Sequence, residues 1–145
     1  MTVLYTGGTF DLFHAGHAAF LAQCRKLAGP DGRVVVALNT DAFVASYKVR
    51  APICTYRERE AVLVACRHVD TVVQNRIGGD SKPTIEEIRP DLIAIGTDWA
   101  AKDYYRQMDF DQKWLDERGI TLVYVAHGFS EGLSTTDIKT RMAER

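Results

Sequence analysis

Two histidines, His14 and His17, lie in a glycine-rich stretch between a predicted strand and a predicted helix. The stretch begins with Gly7 and Gly8 after an apolar segment and ends where helical periodicity begins. A strand, a tight turn and a helix N-terminus form a site for phosphate, because the first N–H groups of the helix are unpaired and lie at the positive end of its dipole. Two imidazoles at such a turn supply further donors for a phosphoryl group that gains charge during a reaction.

Two other interpretations of the same stretch have to be weighed against phosphate binding. A pair of glycines after a strand is common in ordinary loops. Two nearby histidines are also compatible with a metal site. However, neither a further histidine or cysteine nor a glutamate at the zinc-protease spacing accompanies them. The sequence therefore favours phosphate binding over a structural metal at this turn.

Apolar segments alternate with helical periodicity along the chain, and this alternation predicts the fold class. Five segments are continuously apolar, which is typical of strands buried on both faces of a parallel sheet. Helix signals lie between them, such as the capping-box spacing of Thr55 and Glu58 and the position of Pro83. We therefore predict an α/β protein, a single Rossmann-like three-layer domain over residues 1–145 with a five-stranded parallel sheet. The predicted strands are residues 3–6, 34–39, 71–74, 92–96 and 121–125.

The predicted sheet also indicates where a ligand binds. In such folds ligands lie at the carboxyl ends of the strands, where the strand order reverses. The loops at that edge are residues 7–17, 39–50, 96–102 and 127–136, and the first of them holds both histidines. No GxGxxG follows the first strand, which excludes the usual dinucleotide-binding fingerprint.

Composition limits the class of partner. The 145 residues carry a formal net charge of −1, so no overall charge favours nucleic acid or an anionic membrane. No apolar run approaches the ~20 residues that span a bilayer, and no signal-peptide pattern opens the sequence. Cys24, Cys54 and Cys66 lack CxxC spacing and are typical of reduced thiols. We expect a cytoplasmic protein that binds a small anionic ligand, with neither a nucleic-acid nor a membrane partner.

Four segments resemble, in order, motifs of the cytidylyltransferases, a family of the HxGH nucleotidyltransferase superfamily. Together they extend over nearly the whole chain, and the resemblance is greatest to members that act on glycerol 3-phosphate. The segments are residues 8–17 (GTFDLFHAGH), 67–70 (RHVD), 96–99 (GTDW) and 131–136 (EGLSTT).

The resemblance implies transfer of CMP from CTP to a small phosphorylated alcohol. Glycerol 3-phosphate is the leading acceptor, with CDP-glycerol and pyrophosphate as products. Mg²⁺ bound with the triphosphate is the implied cofactor, and a homodimer is the implied assembly. A phosphate monoester is already ionised at neutral pH, so the reaction needs positioning and charge stabilisation rather than a protein nucleophile.

The resemblance also implies roles for single residues. His14 and His17 would hold the triphosphate, with His17 as the main donor to the α-phosphate. Asp11 has three interpretations: it orients His14, it lies near the magnesium, or it is an Asx-turn residue. The N-cap chemistry of the 134–136 segment is compatible with phosphate binding. The other residues assigned to the nucleotide are Gly8, Thr9, Phe10, Gly16, Gly96, Ser134, Thr135 and Thr136.

The remaining implied contacts are to substrate phosphates and to the acceptor. Lys48 matches a phosphate-binding lysine of the family and joins the histidines in the catalytic set, and Arg50 is a second basic residue of its loop. Arg59 and Arg67 match arginines linked to substrate phosphate, and their spacing of eight residues predicts a shared helix face. Each of these basic residues also has a simpler interpretation as a solvated surface charge. Asp98 would meet the acceptor or its bound metal.

One departure from the family pattern keeps a second activity open. Phe129 stands two residues before Glu131, where close cytidylyltransferases carry an arginine associated with the nucleotide. An adenylyltransferase of the same superfamily, acting on a sugar phosphate, is therefore the alternative. A non-catalytic nucleotide-binding module is disfavoured, because His14, His17 and Lys48 are all present.

Overall fold

The computed structural model describes residues 1–47, 50–75, 81–97, 110–126 and 135–145. Strands and helices alternate through these ranges, as the sequence predicts. In chain order they are β1 (Val3–Gly8), α1 (Ala15–Ala28), β2 (Arg33–Asn39), α2 (Asp41–Tyr47), α3 (Tyr56–Ala65), β3 (Thr71–Asn75), α4 (Lys82–Ile88), β4 (Leu92–Gly96), α5 (Gln112–Glu117), β5 (Thr121–Val125) and α6 (Thr135–Ala143).

The five strands form one parallel sheet in the order β3-β2-β1-β4-β5. β1 lies at its centre, paired with β2 on one side and with β4 on the other. The chain first builds outwards from β1 to β3 and then crosses back to β4, so the strand order reverses between β1 and β4. The crevice beyond the carboxyl ends of these two strands is where such sheets bind ligands.

Helices cover both faces of the sheet, and each face has its own apolar core. On one face Leu4 of β1 packs with Phe20 and Leu21 of α1 and with Leu63 of α3. On the other face Tyr5 packs with residues of α4 and α5, among them Ile85 and Leu115. Neighbouring residues of β1 therefore face opposite cores, and this confirms the predicted three-layer α/β architecture.

Local signals set most element boundaries. Thr55 caps α3: its hydroxyl oxygen accepts the N–H of Glu58, and the Glu58 carboxylate in return accepts the N–H of Thr55. Arg89 ends α4 in the left-handed region, at φ 53°, immediately before Pro90. Several boundaries differ from the prediction by one or two residues: β1 extends to Gly8, beyond the predicted end at residue 6, and α3 ends at Ala65, because Cys66 has extended backbone angles. A helix that reaches Arg67 was therefore a wrong prediction.

Cys24 of α1 is buried in the core, and all three cysteines are free thiols. Within the described ranges, no helix is both long and apolar enough to cross a membrane.

Candidate functional site

The turn that carries the histidines connects β1 to α1 at the centre of the carboxyl edge. Phe10 and Leu12 both have φ 49°, a left-handed conformation that non-glycine residues seldom adopt. Phe10 is nevertheless 8% exposed, packs into the core, and lies with its ring centroid 5.3 Å from that of His17. Core packing thus holds a strained turn in place, an arrangement that is common at functional sites.

Gly8 has a specific steric reason to be glycine. A Cβ atom added there would lie 2.8 Å from Cε2 of Phe10, closer than carbon atoms pack. Any side chain at this position would push the Phe10 ring away, and with it the packing against His17. Gly8 was predicted to line the nucleotide pocket, and in the structure it makes room for the aromatic ring that supports the turn.

The side chains of His14 and His17 form a reciprocal cap at the N-terminus of α1. His14 is the N-cap residue, and its Nδ1 accepts the N–H of Gly16 at 3.0 Å. The backbone N–H of His14 in turn donates to Nδ1 of His17 at 3.3 Å. The imidazole rings stack with centroids 3.8 Å apart and planes 27° from parallel. This is a reciprocal capping box built from two imidazoles, and it fixes both rings relative to the helix N-terminus.

These hydrogen bonds also assign the ring protons. A nitrogen that accepts from an N–H group carries no proton of its own, so in each neutral ring the proton is on Nε2. The capping nitrogen and the donating nitrogen of each histidine are therefore different atoms. Nδ1 of each ring completes the cap of α1, and the ring proton is on Nε2, which in His14 is a buried atom.

Asp11 connects the histidine turn to two other segments of the same edge. Its carboxylate accepts the N–H groups of Ile53 at 2.8 Å and Cys54 at 2.9 Å, and also that of Leu12. Its backbone carbonyl accepts from the hydroxyl of Thr135, at the start of α6, at 2.8 Å. This is a correction to one of the interpretations from sequence, because the carboxylate accepts from these backbone N–H groups and does not orient His14, whose Nδ1 accepts from Gly16. Asp11 holds loops together, and its proximity to a magnesium ion stays a prediction.

Arg59 also departs from its predicted role. The residue is 2% exposed, and its guanidinium donates to the backbone carbonyls of Thr9, Asn39 and Cys54 at 2.8 to 3.1 Å and to the carboxylate of Asp41 at 2.7 Å. Four of the five N–H bonds of this guanidinium are thus used within the protein. Instead of meeting a substrate phosphate, Arg59 joins the ends of β1 and β2 to the segment before α3.

Arg67 lies at the other end of the molecule. It follows α3 and is exposed, and its neighbour Asp70 accepts the N–H of Val34 at the amino end of β2. The prediction that Arg59 and Arg67 share a helix face is therefore wrong. The RHVD segment directly precedes β3, so the fold carries it to the amino edge of the sheet, opposite the histidine turn of the same chain.

The other predicted site residues divide into two groups. Thr9, Gly16, Gly96 and Thr135 lie at the carboxyl edge, at strand ends or helix starts, and Arg50 and Thr136 are exposed nearby in sequence. Three predicted residues lie outside the described ranges. They are Lys48, Asp98 and Ser134, and the same holds for Phe129.

Sequence reasoning missed three polar residues that build this edge. Asn39 and Asn75 are 7% and 2% exposed, and their side chains are hydrogen-bonded to each other at 2.9 Å. Asp41 pairs with Arg59 and also accepts the N–H of Tyr56. Their position directly at the ends of predicted strands was the available signal, because strand ends are where a parallel sheet places its ligands.

Comparison with known proteins identifies the family. The model of the cytidylyltransferase-like family matches residues 5–141. The chain is a member of this family. The histidine turn, the carboxyl edge around it and most of α6 lie within the matched range, which confirms the resemblance to the nucleotidyltransferases.

Its relatives in the family carry several names. An FAD synthase of Korarchaeum cryptofilum is 38% identical over 101 residues, which are 69% of this chain and 67% of that protein. The bifunctional protein HldE of Magnetococcus marinus is 35% identical over 144 residues, 97% of this chain but 27% of that protein. This cytidylyltransferase-like chain therefore corresponds to one part of HldE.

A solved structure agrees with the fold. The lipopolysaccharide core biosynthesis protein of Thermoplasma volcanium superposes with a TM-score of 0.69 at 27% identity. The match covers 90% of this chain and 99% of that one.

Replacing Gly8 with alanine tests the steric role of this glycine. Gly8→Ala should lower the free energy of unfolding by about 1–3 kcal/mol, the usual cost of overpacking, because the Phe10 ring has to move. Gly7→Ala is the matched control, since a Cβ there meets its nearest atom, the Tyr5 hydroxyl, at 3.4 Å. Denaturant unfolding of both variants measures the difference, and equal stabilities would contradict the steric argument.

The carboxylate of Asp11 predicts a pH-dependent contribution to stability. Burial favours the neutral acid, but the N–H groups of Cys54, Ile53 and Leu12 and the charge of Lys139 outweigh it and lower the pKa below 3.8. The unfolded chain therefore takes up this proton first, and the stabilisation is present above about pH 4 and is lost as the pH falls through the lowered folded pKa. Asp11→Asn should cost about 1.5–3 kcal/mol at pH 7, since the hydrogen bonds are to a charged group, and progressively less below pH 4.

Unfolding curves at pH 7 and pH 3 measure this difference. Asp31→Asn, at an exposed turn residue, is the control. A destabilisation by Asp11→Asn that is the same at both pH values would mean that the carboxylate charge is not what holds the loops.

Proposed function

We propose that this protein is a nucleotidyltransferase that moves a nucleoside monophosphate from a triphosphate to a phosphate-bearing acceptor. The observation that carries the proposal is the histidine pair. Two rings are locked at a helix N-terminus by their Nδ1 atoms, with the ring protons on Nε2, at the point where the strand order reverses. Membership of the cytidylyltransferase-like family supports the same reaction class.

In this reaction an acceptor phosphate oxygen attacks the α-phosphorus of the triphosphate. The new P–O bond forms as the bond to the β-phosphate breaks, and pyrophosphate leaves with the released electron pair. Charge accumulates on the α-phosphate and leaving-group oxygens, where Nε2–H of His17, assisted by His14, would stabilise it. Thr135 and the start of α6 are tied to Asp11 next to this turn, which supports a second phosphate contact there.

Magnesium stays a prediction. The triphosphate itself brings oxygen ligands for the ion, and Mg²⁺ commonly binds through substrate phosphates with few protein ligands. The Asp11 carboxylate accepts three backbone N–H groups, which leaves about one of its four acceptor positions for a metal ion. Among the described residues no cluster of three or more histidines, cysteines, aspartates and glutamates fits a metal ion.

Different observations support two different nucleotides, ATP and CTP. The similarity to FAD synthases favours ATP, because FAD contains an adenylyl group joined to a flavin phosphate. The absence of the family arginine at Phe129 is compatible with a different base. The four ordered motifs favour CTP, with glycerol 3-phosphate as acceptor. We propose adenylyl transfer as the first candidate and cytidylyl transfer as the second, and a homodimer remains the expected assembly for both.

His17 can be tested by separating its two nitrogens. In His17→Asn the amide oxygen can replace Nδ1 and keep the cap, but no donor reaches the place of Nε2. In His17→Gln the amide nitrogen reaches further and can replace Nε2–H. We expect His17→Asn to lower kcat by about 10²–10³ with a nearly unchanged thermal midpoint, because the donor acts mainly in the transition state. His17→Gln should recover part of the rate.

The readouts are pyrophosphate release and thermal unfolding. His68→Asn, at the amino edge of the sheet, is the control and should leave kcat unchanged. If His17→Asn keeps near-full turnover on an accepted substrate pair, the proposed role of the histidine turn is wrong.

A substrate panel decides between the two nucleotides. Each of ATP, CTP, GTP and UTP is combined with FMN, glycerol 3-phosphate and sugar phosphates, and pyrophosphate release is measured for every pair. We expect the highest kcat/KM with ATP, because the FAD synthase relatives are 38% identical over most of this chain. Preference for CTP would establish the second candidate, and no release with any pair would contradict nucleotidyl transfer.

A further inference from the structure

Three side chains form a line of hydrogen bonds across the carboxyl ends of neighbouring strands. Asn75 ends β3, Asn39 ends β2, and Thr9 follows β1. Nδ2 of Asn75 donates to Oδ1 of Asn39 at 2.9 Å, and Nδ2 of Asn39 donates to the hydroxyl oxygen of Thr9 at 3.1 Å. The line therefore runs from the edge strand of the sheet to the first residue of the histidine turn.

The hydrogen bonds of this line run in one direction, from Asn75 through Asn39 to Thr9. Because Asn39 receives the amide of Asn75 on its carbonyl oxygen, its own amide must face Thr9. The Thr9 oxygen acts as acceptor in that bond, so the Thr9 proton is directed away from Asn39. A change at Asn75 that lets the Asn39 amide rotate would present a carbonyl to Thr9 instead and reverse the polarity of its hydroxyl.

The backbone around this line is held as firmly as the side chains. A single nitrogen of Arg59, Nη1, donates to the carbonyls of both Thr9 and Asn39, at 2.8 and 2.9 Å. Asn75 also accepts the N–H of Thr40 on its backbone carbonyl. These backbone bonds keep the three residues close together. The side-chain bonds of the line determine only how the Asn39 amide is oriented.

Two nearly buried amides at the ends of strands are not the arrangement that would maximise stability. Burying polar groups brings little net gain even when their hydrogen bonds are made, whereas a satisfied network keeps its members in one orientation. We propose that Asn75 is a positioning residue of the phosphate site, acting through Asn39 on the hydroxyl of Thr9. Asn75 makes this contribution from the edge strand, without contact to the ligand. The inference rests on the proposed function, since it assigns Thr9 to the triphosphate.

A double-mutant cycle in the full-length chain tests this inference. The variants are Asn75→Ala, Thr9→Val and the combination of both, with kcat and KM for the preferred triphosphate measured by pyrophosphate release. We expect each single variant to lower kcat/KM about fivefold to tenfold, as for the loss of one hydrogen bond. In the Thr9→Val background Asn75→Ala should have almost no further kinetic effect, because the hydroxyl on which it acts is gone.

Thermal unfolding of the same four proteins separates positioning from folding. The loss of thermal midpoint caused by Asn75→Ala should persist in the Thr9→Val background even though the kinetic effect disappears. Gln74→Ala, at an exposed amide on the same strand, is the control and should change neither quantity. Asn75→Ser is the second variant if Asn75→Ala does not fold, because serine fills part of the space but is too short to reach Asn39.

Two results would overturn the inference. Kinetic effects that multiply in the double variant would show that Asn75 acts independently of Thr9, and a lowered midpoint with unchanged kinetics would show a purely structural role. If the wild type transfers no nucleotide with any substrate pair, binding of inorganic tripolyphosphate to the same four proteins is measured by calorimetry. Absence of both transfer and binding removes the proposed function and this inference together, whereas an active wild type with independent effects removes the inference alone.

Discussion

A guanidinium that is almost removed from water has to find hydrogen-bond acceptors, and Arg59 finds them in three backbone carbonyls and one carboxylate. The carbonyls belong to the residues that leave β1 and β2 and to the segment that enters α3. One side chain therefore joins three loops that are far apart in the sequence. Removing it would leave these acceptors without partners as well as removing a charge, which is the costly way to break a buried network.

At the histidine turn, as at Arg59, side-chain hydrogen bonds hold the local backbone in place. Each imidazole uses Nδ1 to complete the N-terminus of α1, so its ring proton is on Nε2. In the proposed reaction the Nε2–H of His17 would be the donor, so that stability and reactivity would be assigned to different atoms of that ring. This arrangement gives the donors fixed positions before any ligand binds, which is what electrostatic stabilisation of a transition state requires.

Asp11 extends this organisation to the third loop. It joins the turn to residues 53–54 through its carboxylate and to the start of α6 through its carbonyl. The acidic residue of the motif therefore acts on the shape of the site. Its carboxylate links the segment that follows Lys48 to the histidine turn by two hydrogen bonds.

The sequence alone determined the order of the strands and their boundaries to within two residues, because apolar runs, capping boxes and prolines act over a few residues. The strand at residues 92–96 and the cap at Thr55 were predicted as they are found. The sequence also located the histidine turn, since a strand, glycines and a helix start are contiguous. It could not distinguish Arg59 from Arg67, two arginines of the same predicted helix, nor show that Asp11 binds residues 42 and 43 positions away. Only the tertiary structure decided these roles, because burial and the choice of hydrogen-bond partners depend on which distant backbone groups the sheet brings to each end of its strands.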